Sequence, residues 1–183
     1  MLRLTEVKSQ LIDYMIKPSI KYSILCGIFL VALFWVSVKF GSNPLLDIRH
    51  FLFDLVIYFL FIFFAAKEYK SYHNGGFLHF WQGMSIAFIV YLPAAVIFTL
   101  CLLLIFKIDP DIIEGYKSGA TAFLEEKKET LIEGLASEEY DRQLEGIKNV
   151  STGDLVISSG LKKILAGFFI TPVVSIILRK KPN

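Results

Sequence analysis

The sequence is poor in most of what marks a soluble enzyme or a secreted scaffold. Its 183 residues include only 2 cysteines, 3 histidines and 2 tryptophans, and charged residues make up 20%. Two cysteines cannot supply the disulfide framework of a small secreted domain. Cys26 and Cys101 both fall inside long apolar runs and read as small buried residues, unpaired with each other. His73 and His79 have no cysteine or carboxylate at metal-ligand spacing, and zinc normally takes three or four ligands. The expectation is no metal and no cofactor. A net charge of +2 gives no basic field for nucleic acid. There is no Ser–His–Asp pattern, no phosphate loop and no HExxH. No catalytic residue is assigned, and the chain is not expected to be an enzyme.

What is present is apolar. Hydrophobic residues make up 55% of the chain, with 17 Phe and a mean hydropathy of +0.57. That composition excludes intrinsic disorder. The apolar residues gather in blocks near the roughly 20 residues that a helix needs to cross a bilayer. The blocks run at about 22–38, 51–66, 80–106 and 155–178. Lipid offers the backbone no partners, so each must be helical. The third is longer than the hydrocarbon is thick, and Pro93 is expected to kink it. The fourth starts in polar residues, Ser158 to Lys163, with Lys162 and Lys163 expected to snorkel toward headgroups. Thr171-Pro172 marks a second bend. The first block is not read as a cleaved signal, because three more spans follow it.

Four spans put both termini on one side. Basic residues divide almost evenly between the two sides. They are denser on the terminal side, which holds Lys17, Lys21, Lys67, Lys70, Arg179 and Lys180. The positive-inside rule then places the termini in the cytoplasm. Residues 1–18 form a separate amphipathic segment. Leu4, Val7, Leu11 and Met15 repeat at helical spacing with charges off the stripe, which suits a helix lying on the headgroups and running into the first span. Residues 19–183 form one four-span domain. Tyr72-His73-Asn74-Gly75-Gly76 has turn chemistry.

The insert at about 108–154 is the one sizeable aqueous segment, and its acids outnumber its bases. Asp109-Pro110 starts a helix predicted to reach about Gly134. A second begins at Ser137 and ends near Asn149. Ser151 with Asp154 resembles a capping box for the fourth span. Ile112, Ile113, Tyr116, Phe123 and Leu124 give the insert an apolar face. The segment is short for an independent core, so a helical hairpin capping one end of the bundle is expected.

Asp54 is the one acid well inside a span, and an intramembrane carboxylate is a functional candidate by default. His50 lies four residues back, with Arg49 beside it. These three form the candidate intramembrane polar site, although a local pair of Asp54 with His50, Arg49 or Lys39 near the headgroups is the simpler account. Gln82, Ser85, Thr99, Thr171 and Ser175, together with Gly83, Ala87, Gly160 and Gly167, read as helix-packing positions.

Several short motifs resemble a known family. They are Lys67-Glu68-Tyr69 closing the second span, Gly75-Gly76 then Phe80-Trp81-Gln82 opening the third, and Phe106-Lys107-Ile108-Asp109-Pro110 closing it. With the acidic insert and the basic tail, they resemble domain-of-unknown-function family 4199, four-span inner-membrane proteins of Bacteroidetes. The resemblance covers about residues 17–181. It implies the fold and an inner-membrane location, but no activity and no catalytic residues. It also implies a neighbouring polyprenyl-phosphate glycosyltransferase as a candidate partner.

The expectation is therefore an all-α polytopic membrane protein. Its leading reading is a non-enzymatic accessory or scaffold subunit of an envelope complex, docking a membrane-protein partner through the insert. The alternative is a small homo-oligomeric transporter or channel, motivated by Asp54, Pro93 and Pro172.

Overall fold

The computed structural model describes residues 2–126, 128 and 137–181, with side chains from Met15 onward except at Ser137 and Glu138. The chain is all-α, with four helices long and apolar enough to cross a membrane, so it is a multi-pass membrane protein. Helix α1 (Leu2–Lys39) and α2 (Ile48–Glu68) come first, and α2 is prolonged by a π-helical turn, Tyr69–His73. Then come α3 (Phe80–Ile108), α4 (Asp111–Glu126), α5 (Ser137–Lys148) and α6 (Thr152–Leu178). The side chains of the amphipathic stripe before Met15, and the first insert helix's expected end near Gly134, lie outside the described residues.

Local chemistry sets the boundaries. Asp47 caps α2, its carboxylate accepting from the Arg49 amide at 2.9 Å. Ser151 and Asp154 form the expected capping box at α6, with Asp154 N donating to Ser151 Oγ and Ser151 N to Asp154 Oδ2, both 3.1 Å. Between α2 and α3 the chain turns through Gly75 and Gly76 at φ 57° and 81°, a region that favours glycine. Pro18, Pro93 and Pro172 all lie inside helices. Each removes one backbone bond, yet α1, α3 and α6 run on through them. Residues 2–18 are thus continuous with the first span.

Around the bundle the helices follow the order α1, α3, α6, α2, and the diagonal pair α2–α3 also touches. The outer surface differs from that of a soluble bundle, and the largely apolar interior admits several polar side chains. Large apolar side chains such as Phe29, Phe53, Leu100, Leu104, Phe168 and Phe169 face outward, where lipid tails suit them. The buried positions include Ser19, Ser23, Gln82, Ser159, Thr171 and Ser175. Glycines let α3 and α6 approach closely. A Cβ on Gly83 would sit 2.9 Å from Ser175 Oγ, and one on Gly160 would sit 2.6 Å from Thr99 Oγ1. Gly167 faces the Tyr91 ring in the same seam.

The end bearing the insert is closed by α4 and α5, which pack on each other. Ile112 joins the buried cluster of the bundle. Gly119 lies against Leu46 in the α1–α2 loop. At the opposite end Leu78 and Lys180 exchange backbone bonds of 2.9 Å, and Lys70 Nζ donates to the Leu178 carbonyl at 2.8 Å. There Lys21 also pairs with Glu68 at 3.1 Å.

Candidate functional site: a buried ion pair beneath the α1–α2 loop

Helix periodicity puts His50, Asp54, Tyr58 and Ile62 on one stripe of α2, at four-residue intervals. The same rule puts Ser159, Gly160, Lys163, Gly167 and Thr171 on one stripe of α6. Both stripes face the bundle interior. Asp54 lies about 9 Å along α2 and Lys163 about 16 Å along α6, at ~1.5 Å per residue. Helix α6 starts farther out, so the two side chains meet at one level. Lys163 Nζ lies 2.5 Å from Asp54 Oδ2. Asp54 is 3% exposed, and Lys163 and His50 are each 5% exposed.

The surroundings are aromatic. Lys163 Nζ stands 4.4 Å from the centre of the Phe98 ring on α3, a cation–π distance. Phe98 meets Phe34 of α1 edge-on at 5.8 Å, and Phe34 in turn meets the His50 ring at 6.0 Å. Below the pair, Tyr58 and Tyr91 meet edge-on at 6.4 Å.

The two carboxylate oxygens of Asp54 have different neighbours. Oδ2 receives Lys163, whereas Oδ1 faces His50 Nδ1 at 3.8 Å, beyond hydrogen-bond range. Oδ1, both ring nitrogens of His50 and the Tyr58 hydroxyl are buried without a partner. Each such group is costly in a low-dielectric interior unless something else satisfies it.

A cavity of about 290 Å³ reaches the pair from the insert end. Phe34, Phe51 and Phe98 wall it, the loop residues Pro44 to Ile48 roof it, and Asp54 and Lys163 form its charged end. Lys162 lines the same cavity and is exposed, its ammonium donating to the Leu45 carbonyl at 3.4 Å. A second hollow of about 320 Å³ lies on the other side of the loop. It is lined by Ser37, Ser42, Arg49, His50 and Phe53, and it shares Pro44 and Asp47 with the first.

Of the three residues singled out in the sequence, Asp54 and His50 are brought together, and Arg49 is turned away. The Arg49 side chain is 78% exposed and binds Asp47 at 3.1 Å, holding the Asp47 carboxyl below its ordinary pKa. Successive helix residues are separated by about 100°, so Arg49 cannot share the stripe of His50. The same geometry corrects the expectation for the two lysines. Lys162 reaches outward, but Lys163 turns in to Asp54 instead of snorkelling. A sequence signal for Lys163 existed: it stands three residues after Gly160 and four before Gly167, on the glycine stripe of α6. No cluster of three or more metal-ligating side chains occurs among the described residues. Gln82 has a structural role, its Oε1 accepting from the His79 amide at 2.9 Å and from Asn74 Nδ2 at 3.1 Å.

No curated protein and no solved structure matches the chain. The model of the family described as "Protein of unknown function (DUF4199)" matches residues 21–180, well over half of the sequence, so the chain belongs to that family.

Proposed function

We propose that this membrane protein is a small carrier that takes a solute into the cavity ending on Asp54 and Lys163. We place it in the bacterial inner membrane with both termini in the cytoplasm. The observation that carries the reading is a charged pair deep in a bundle, reached by a cavity. Such a pair is poor value as a structural tie, since apolar residues of like volume serve as well or better. An ion pair retained at the foot of an aromatic-walled cavity suits recognition of a solute's polar group. Ile62, Ala65, Ile86, Ala87 and Val90 fill the middle of the bundle, so passage requires helices to move. This favours a carrier over an open channel. The orientation is supported by Lys17, Lys21, Lys67, Lys70, Arg179 and Lys180 gathering at the end opposite the insert.

The accessory-subunit reading, with a membrane partner such as a polyprenyl-phosphate glycosyltransferase, rested on the apolar face of the insert. Of that face Ile112 and Leu124 are buried and Ile113 and Tyr116 half-buried within the chain, while Phe123 is 55% exposed; with most of the face already covered, this reading stands second. The carrier reading is tested by counterflow into liposomes bearing the purified protein, with a panel of small anionic, cationic and neutral solutes. Uptake of at least one solute class, altered in Asp54→Asn, is expected. Vesicles that neither bind nor exchange any of the panel would refute the reading.

A further inference from the structure

We infer that the Asp54–Lys163 pair is an exchange centre, in which a monovalent organic anion replaces Asp54 as the counter-ion of Lys163 while Asp54 takes up one proton. The inference rests on the solute-binding reading and names its ligand class. It starts from charge conservation. A lone charge in a bundle interior costs several kcal/mol more than a compensated one, so an occupant must leave the site as neutral as it found it. The pair is neutral as it stands. An anion arriving alone would leave the interior with an uncompensated negative charge. An anion arriving with one proton would not: Lys163 keeps its charge, the anion neutralises it, and Asp54 becomes a neutral acid. A cation has no equivalent place, because Lys163 already occupies the Phe98 face where an ammonium would sit.

The lining fits such a ligand. The least committed charge of the cavity is Lys162, at its mouth and held only by a 3.4 Å contact to a carbonyl. It draws anions inward. Asp47 also lines the cavity, but its charge is spent on Arg49. The walls are Phe34, Phe51 and Phe98, which match an apolar or aromatic body. A volume of about 290 Å³ holds a molecule of benzoate size with room to spare. A carboxylate meets the single-charge requirement, whether it comes from a soluble acid or from a fatty acid in the bilayer.

The proton has a route separate from the ligand's. Asp54 Oδ2 faces Lys163 and the cavity, and Oδ1 faces His50 at 3.8 Å. His50 lines the second hollow, beyond the loop. Both ring nitrogens of His50 are buried, so the ring must first shift toward that hollow to bind a proton, which it then passes to Oδ1 as it tightens onto the carboxylate. The other ionisable groups around the pair are Lys162 from α6, Cys26 from α1 and Tyr58 from α2, with Tyr91 of α3 behind Tyr58. The other carboxylate of the cavity lining, Asp47, is held charged by Arg49, and the imidazole beside the pair is His50, the relay itself; Asp54, whose counter-ion the anion takes over, is the acceptor of the proton.

The test is calorimetric titration of the intact detergent-solubilised protein at neutral pH with sodium benzoate, sodium octanoate, benzylamine and benzyl alcohol. Each titration is run in two buffers of different ionisation enthalpy, which counts protons. The expected result is binding of both carboxylates with about one proton taken up per anion, as charge conservation requires, and no binding of benzylamine. Affinity growing steeply from benzoate to octanoate would point to a membrane-derived acid, and equal affinity to a soluble one. Asp54→Asn is expected to bind benzoate with no proton uptake. Proton uptake that persists in Asp54→Asn would mean that the ligand or His50 holds the proton, and would overturn the inference. Benzylamine or benzyl alcohol binding as well as benzoate would overturn it too, while leaving the solute-binding reading intact. Failure of all four probes to bind would sink both. His50→Phe separates the proton route from the binding site. It is expected to slow benzoate-driven proton uptake in stopped flow without changing the number of protons, and unchanged kinetics would remove His50 from the route.

Discussion

Replacing Lys163 by methionine is the sharpest perturbation of the buried pair. Methionine keeps the length and most of the volume of the lysine stem, so packing against Phe98 is largely retained. What disappears is the cation 2.5 Å from Asp54 Oδ2. The nearest substitute, His50 Nδ1, lies 3.8 Å from the other carboxylate oxygen. Asp54 is then a buried acid without a counter-ion, and breaking such a pair from one side costs about 3–5 kcal/mol. The double variant Asp54→Leu with Lys163→Met removes both charges and leaves an apolar contact of similar volume. It is expected to recover most of the loss, because neutral replacement of a buried pair is often without cost. The coupling energy should exceed about 2 kcal/mol, within the range known for residues in direct contact. Reversible unfolding in mixed micelles reads this out, followed by the fluorescence of Trp35 and Trp81. Additive effects of the two single changes, within about 0.5 kcal/mol, would show that the two charges do not depend on each other. The exchange centre would then have no basis.

Other consequences are independent of the pair. Gly167→Ala places a methyl group against the buried Tyr91 ring at the α3–α6 seam, and should lower stability by about 1–3 kcal/mol, as overpacking does. An unchanged midpoint in the same unfolding assay would mean that the seam is looser than drawn. Ser151→Ala removes the hydroxyl that caps α6 and should cost about 1 kcal/mol. Amide exchange at Asp154 and Leu155 should quicken, and no change there would argue against the cap. Asp47 titrates below its ordinary value because Arg49 holds it charged. Its stabilisation is therefore complete above the unfolded carboxylate pKa of about 3.9 and is lost as pH falls through the lower folded value. Asp47→Asn should flatten the acid limb of a pH-dependent melting curve, and an identical limb in both proteins would refute this.

Half of the site was legible before the fold. Asp54 announced itself as a carboxylate in an apolar run, and His50 followed from four-residue spacing along one helix. Arg49 was grouped with them by proximity in sequence, although a helix turns it to another face. Lys163 was legible in principle from the glycine stripe of α6. Its neighbour Lys162 and the adjacent serines made that turn look like a solvated helix start. Phe34 and Phe98 carried no signal, since they are two among 17 phenylalanines that serve lipid and core alike.

The sequence by itself determined the four spans, the Ser151 cap of the fourth and the glycine turn. Those features depend on summed hydropathy and on hydrogen bonds between residues a few positions apart. Only the tertiary structure decided which side chains meet inside the bundle. A helix apolar all round shows little preference for which face turns inward. Its rotation and height are set by where glycines admit a neighbour and by how far each helix extends past the next. Asp54 and Lys163 are 109 residues apart in the chain, and what joins them is the inward rotation of α2 and α6 and the greater reach of α6 beyond the loop.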